Sequence, residues 1–142
     1  MMQPFNPPAL AAPRGYNNGV LFAPASGVLF VAGQVGWDRD AQIVSGDFAD
    51  QFDRALANVL EVVAAAGGTP ESVGKLTIFV TSVVEYTAAR HTIGERYRAR
   101  MGHHYPAMTL VEVQALLEPG AKVEIEAFAC VQGRPEGPAR RS

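Results

Sequence analysis

The sequence predicts an α+β sandwich, one sheet covered on one face by two helices, and three observations lead there. First, YPAMTLVEVQAL (105–116) and AKVEIEAFACV (121–131) alternate apolar and polar residues with the period of a strand. Second, SGDFADQFDRALANVLEVVAAAGG carries apolar residues at 48, 52, 55, 56, 59, 60 and 63, the period of an amphipathic helix. Third, the helical segments fall after a hairpin signal and around one short β-branched run, KLTIFVT, instead of alternating strictly with strands.

The elements follow in order. Residues 1–14 hold Pro4, Pro7, Pro8 and Pro13, and residues 133–142 hold Gly133, Pro135, Gly137 and Pro138, so both ends read as irregular tails. Residues 20–23 and 28–32 are β-rich runs about a Pro-Ala-Ser-Gly turn, a hairpin signal. The first helix starts at a cap supplied by Asp47 or Ser45 and ends at Gly67-Gly68. Residues 75–81 are apolar enough for a central strand, and residues 85–101 form a second helix closed by Gly102. The two alternating segments complete a ββαβαββ order.

In the last strand Val123, Ile125, Ala127 and Ala129 should face the helices, leaving Glu124, Glu126 and Phe128 on the other side. In the strand before it Met108, Leu110, Glu112 and Gln114 should share a face, opposite Thr109, Val111 and Val113. A sheet face that mixes Met, Leu and Phe with Glu and Gln suits a subunit interface with wet clefts in it.

At 142 residues, 48% hydrophobic and 18% charged, the chain fits one domain, 1–142, with a core over about 13–131. The net charge of −2 and a pI near 5.9, with no basic stripe, argue against nucleic acid as partner. Nowhere do 18 apolar residues follow one another, and the proline-rich start is not a secretory signal. A cytoplasmic protein with no membrane partner is expected. Cys130 is the single cysteine and there are three histidines, so no metal cluster of zinc spacing is present in the sequence.

The strings PRGYNNGV, LFVAGQVGWD, QFDRALANVLEVVAAAGG, KLTIFVTS, YPAMTLVEV and KVEIEAFA together resemble the Rid/YjgF family of reactive intermediate deaminases, over about residues 13–131. The resemblance implies a chorismate-mutase-like fold and a homotrimeric barrel with three clefts between subunits. It implies, for the best-known branch, cofactor-free hydrolysis of imines and enamines left by pyridoxal-phosphate enzymes. Carried over onto this chain, it places Tyr16 near the cleft, the backbone of Gly33 beside the ligand, Glu124 as the group that orients the attacking water, and the backbone of Thr109 at a neighbouring position. The chain departs from the 2-imino-acid branch at three polar positions. Met108 stands where that branch has an arginine for the substrate carboxylate, Leu110 where it has a cysteine or small polar residue, and Ala32 where it has a serine.

Several residues read two ways. Glu124, in a partly apolar cleft, is either a proton carrier between water and a leaving amine or an interface carboxylate paired with a cation; the motif favours the first. Glu112 and Glu126 read as interface or structural hydrogen-bonding groups. A helical projection puts Arg90 about 40° from Tyr86, inside the apolar stripe of the second helix. There it either binds the anion that the missing arginine would have held, or snorkels past the helix edge or pairs with a glutamate. Trp37 either walls the cleft or packs at a subunit contact. His103 and His104 are weak candidates for a base, and Cys130 reads as a small packed residue.

The combined reading is a trimeric hydrolase of an imine, enamine or similar reactive tautomer, using Glu124 and an ordered water, without cofactor or metal. Met108, Leu110 and Trp37 predict a substrate larger, flatter or less charged than a simple 2-imino acid. The alternative is a non-catalytic small-molecule binder of the same fold. Endoribonuclease activity, attached to the family's name, fits poorly with the acidic pI.

Overall fold

The computed structural model describes residues 2–22 and 27–132. Strand β1 (Met2–Phe5) and strand β2 (Gly19–Phe22) form an antiparallel ribbon. Strand β3 (Gly27–Val35), helix α1 (Phe48–Ala65), a 3-10 turn at Pro70–Ser72 and strand β4 (Val73–Val80) follow. Then come helices α2 (Val83–Ala88) and α3 (Arg90–Met101), and strands β5 (Ala107–Glu112) and β6 (Val123–Val131). The main sheet has the order β3-β6-β4-β5, with β4 and β5 parallel across the α2–α3 connection and the other pairs antiparallel. One face is covered by helices, and β4 is central, as its apolar run predicts.

Helix α1 forms where its sequence is best prepared for one. The Asp47 carboxylate accepts the Asp50 backbone N–H at 3.0 Å, capping the first turn. After Ala65 the chain leaves the helix, with Gly67 in the left-handed region at φ 88°. Between these ends Leu56, Val59 and Val63 pack in one core with Ile78 and Val80 of β4 and Val123 and Ile125 of β6. Each such side chain contributes roughly 1.5–3 kcal/mol by leaving water.

Two contacts set the depth of α1 on the sheet. The backbone of Gly36, just past β3, runs so close to α1 that a Cβ there would sit 2.6 Å from the Gln51 carbonyl oxygen. Gln51 itself is completely buried. Its Nε2 donates to the carbonyls of Ser45 (2.8 Å) and Gly120 (3.0 Å), and its Oε1 accepts the Lys122 N–H at 2.8 Å. One side chain thus satisfies three backbone groups and ties α1 to the residue before β6.

Helix α3 lies on α1 through ion pairs. Arg100 grips Asp53 with Nε at 2.6 Å and Nη2 at 3.1 Å, and Arg96 reaches Asp50 at 3.0 Å. The Arg100 hydrogen bond, reinforced by charge from Arg100 and Arg96, holds the Asp53 carboxyl below its usual range against the opposing effect of burial.

Four expectations are corrected. The runs at 20–23 and 28–32 do not pair with each other: β2 pairs with β1, so residues 2–5 are a strand and not part of an irregular tail. Pro4 is tolerated because it lies in a two-stranded ribbon, where a missing ladder donor costs little. The expected turn at 24–26 and the tail at 133–142 lie outside the described residues. Residues 85–101 are not one helix. The helical run begins at Val83 and breaks at Ala89, the C-cap of α2 and the N-cap of α3. Finally, Met108 and Leu110 lie on the helix-covered face, because β5 pairs with β4 as Met108 with Leu76 and Leu110 with Ile78, both core residues. Thr109 and Val111, not Met108 and Leu110, share the open face with Glu124 and Glu126. Sequence alternation defines two faces of β5 but not which one meets the helices.

Gln51→Leu strands three backbone groups in the interior and is expected to cost about 3–5 kcal/mol by urea denaturation; a loss under about 1 kcal/mol would show that water replaces the amide. Because the Asp53 carboxyl is held low in the folded chain, its pairing stabilises above the pH at which the unfolded carboxyl ionises, about 4. That contribution fades as the pH falls through the lower folded value. Wild type should therefore lose its advantage over Asp53→Asn below about pH 4, by roughly 1 kcal/mol for a half-exposed pair; parallel acid titrations of the two would refute it.

Candidate active site

The open face of the main sheet carries Phe30, Phe128, Thr77, Phe79, Thr109, Val111 and the two glutamates of β6. Phe30 is 71% exposed and meets Phe128 edge to face, ring centroids 5.1 Å apart. Toward the other end of β6 this face changes character. Between Val31 and Gln34 the pairing of β3 with β6 slips by one residue, a bulge that contains Ala32 and Gly33. The Glu124 side chain occupies the space this leaves. A Cβ on Gly33 would clash with Glu124 Oε2 and stand 2.7 Å from its Cδ. Glycine is required at 33 because a carboxylate lies on its backbone. Glu124 is half-buried, and no cation lies within ion-pair distance of it among the described residues.

On the helix-covered side a cleft of about 420 Å³ opens between α3, the loop before β2 and the first part of β5. Its floor is apolar: Ile78, Ile93, Met108 and Leu110. All four tyrosines of the chain line it, Tyr97 and Tyr105 stacked with centroids 5.5 Å apart. The Tyr97 hydroxyl donates to the His104 carbonyl at 2.8 Å, and burial pushes its phenol well above the ordinary value, so it stays protonated. Arg14, Arg90 and Arg98 stand around the rim, and among the described residues none has an acidic partner within ion-pair distance.

The expected site residues therefore fall into two groups. Tyr16, Arg90, Met108 and Leu110 meet in the cleft. Gly33 and Glu124 meet at the bulge, and Thr109 is on the open face, where its hydroxyl accepts from Lys75 Nζ at 3.0 Å. Trp37 borders neither group. It bridges to Ile43 in the segment after β3, and its carbonyl accepts from Asn58 on α1 at 2.9 Å. The projected stripe of Tyr86, Ala89, Ile93, Tyr97 and Met101 packs against the core on both sides of the break at Ala89, but Arg90 at its edge is exposed at the cleft rim and not buried.

Other candidates have structural partners. Glu112 accepts the Val83 N–H at 2.8 Å in the first turn of α2. His104 is buried, and its Nε2 lies 2.7 Å from the Val73 carbonyl, which can only accept, so that nitrogen carries a proton. Cys130 is a half-buried free thiol. Among the described residues no three His, Cys, Asp or Glu side chains form a group that could hold a metal ion, and no helix is long and apolar enough to cross a membrane. Sequence reasoning missed Arg14 and Arg98. The signal for Arg98 was RHTIGERYR, where Arg90, Gly94 and Arg98 recur every fourth residue and share one helical face.

Comparison with known proteins identifies the family. The sequence profile of the family described as Endoribonuclease L-PSP matches residues 7–131. The human 2-iminobutanoate/2-iminopropanoate deaminase is 33% identical over 106 residues, 74% of this chain and 73% of that protein. Among solved structures, YyfB of the conserved Rid protein family from Yersinia pestis superposes with a TM-score of 0.78 at 31% identity, covering 92% of this chain and 98% of that one. TdcF of E. coli with bound serine gives 0.63 at 30% identity, covering 84% and 90%. Imine deaminase activity is thus present among the relatives, and the chain belongs to the Rid/YjgF family.

Proposed function

We propose that this protein is a cofactor-free hydrolase of an imine or enamine larger or flatter than a simple 2-imino acid, working as a homotrimer. The observation that carries the reading is the Glu124 carboxylate, seated on the Gly33 backbone with no cation beside it among the described residues. Water adds to the carbon of the protonated C=N bond while Glu124 takes a proton from it. Glu124 then returns that proton to the nitrogen of the carbinolamine. The C–N bond breaks, the hydroxyl proton leaves with the nitrogen as ammonium, and a ketone remains.

Within one chain the cleft and the bulge lie on opposite faces of the sheet, so the proposal needs a second copy to bring Glu124 to a bound substrate. The exposed Phe30, Phe128, Val28 and Val111 supply an apolar face for that association. A non-catalytic trimeric binder is the second reading, favoured by Met108, Leu110 and Ala32 at positions that are polar in the 2-imino-acid branch.

Ammonia release from freshly generated 2-iminopropanoate and from its bulkier 3-phenyl analogue tests both. Wild type should favour the bulky imine, Glu124→Gln should lose about 10²–10⁴ of the rate, and Met108→Arg should gain on the small one. Inertness on every imine, with a ligand raising the melting temperature unconsumed, would favour the binder; a monomer by light scattering would remove the shared site. Gly33→Ala forces the Glu124 side chain, Cγ and Cδ included, off its seat, and is expected to cost about 1–2 kcal/mol of folding stability and to cut the rate nearly as far as Glu124→Gln. Full activity in Gly33→Ala would mean that the seated carboxylate is not the working one.

A further inference from the structure

We infer that the cleft takes a flat, apolar-bodied ligand bearing two separate anionic groups, held by Arg14, Arg90 and Arg98. The inference rests on the cleft being the substrate site and adds the chemical class that fills it.

The four arginines of α3 divide into two pairs. Arg96 and Arg100 are neutralised by Asp50 and Asp53 of α1. Arg90 and Arg98 point to the cleft instead, eight residues apart on one helical face, about 12 Å along the axis. Gly94 lies midway between them. A helix-interior glycine is unfavourable relative to alanine, and here the bare surface is occupied: Arg98 folds back over it, with Nη1 only 3.3 Å from where a Cβ would stand. The fold therefore carries Arg98 toward Arg90, against their mutual repulsion, while Arg14 stands on the facing wall. A single carboxylate satisfies one guanidinium fork. Three guanidinium groups without acidic partners among the described residues, in a protein of net charge −2, call for more negative charge than that. Between them the floor is Met108, Leu110 and tyrosine rings, which suits an aromatic or otherwise planar body. At about 420 Å³ the cleft is in the range that encloses molecules well beyond a three-carbon imino acid.

The test is calorimetric titration of the intact oligomer with isophthalate and with benzoate, the same ring with two carboxylates and with one. Isophthalate should bind at least about tenfold more tightly, one charge-assisted contact being worth roughly 10- to 100-fold. Arg90→Gln and Arg98→Gln should each reduce that ratio toward one, and Arg54→Gln, an exposed arginine on α1, should leave it unchanged. Gly94→Ala gives a readout that a purely structural role would not: it should raise the melting temperature while weakening isophthalate binding. Equal or absent binding of the two probes, or a preference that survives Arg90→Gln and Arg98→Gln together, overturns the inference. So does dissociation of the oligomer in those variants with the preference intact, since the arginines would then pair with acids of a neighbouring copy. Glu124→Gln separates the two proposals: it should keep the isophthalate preference while losing ammonia release. If no imine is hydrolysed but the preference stands, the hydrolase reading fails and this one holds.

Discussion

The Gln51 side chain is the joint on which the molecule turns. It is the one fully buried amide of α1, and it holds the N–H of Lys122, two residues before Glu124. Every hydrogen bond of β6 to β4 and β3 is counted from that point. With α1 brought close by the missing Cβ of Gly36, the amide fixes where β6 begins, and so which of its residues enter the core and which face outward. Apolar packing gives the interior its energy, but a buried polar clamp sets its alignment, because a hydrogen bond has a direction and a hydrophobic contact does not.

The sheet then acts as a partition. Tyrosines and arginines gather in the cleft under α3, and the Glu124 carboxylate rests in a bulge on the opposite surface. The apolar floor at Met108 and Leu110 does not make the cleft neutral, since Arg90 and Arg98 of the helix and Arg14 of the loop also line it. Under the two proposals, the three arginines at the rim would take over anion binding from the floor.

Much of this was legible in the sequence, for identifiable reasons. The cap at Asp47, the glycine stop after α1, the central β4 and the inward set Val123, Ile125, Ala127 and Ala129 all follow from local periodicity and local chemistry. What was not legible depends on partners distant in sequence. The β1–β2 pairing joins residues some seventeen positions apart, across a proline-rich stretch that reads as a tail. The face of β5 is decided by β4, thirty-two residues upstream. A helical projection gives the angular position of Arg90 but not its exposure, which depends on how much the facing loop at Arg14–Tyr16 leaves open. Glu124 and Gly33 were singled out separately, through a family resemblance; that one is seated on the other is visible only when β3 and β6 are laid side by side.

The alternation of β6 has a further consequence for how the protein can fail. Neighbouring positions serve opposite duties, Glu124 outward and Ile125 inward, so a slip of one residue would bury the carboxylate and expose the isoleucine together. No well-packed chain with a merely misaligned site is available by that route. Quality control that senses exposed apolar surface would therefore also screen for the alignment of Glu124, and damage to this strand should surface as lost protein before it surfaces as a misplaced carboxylate.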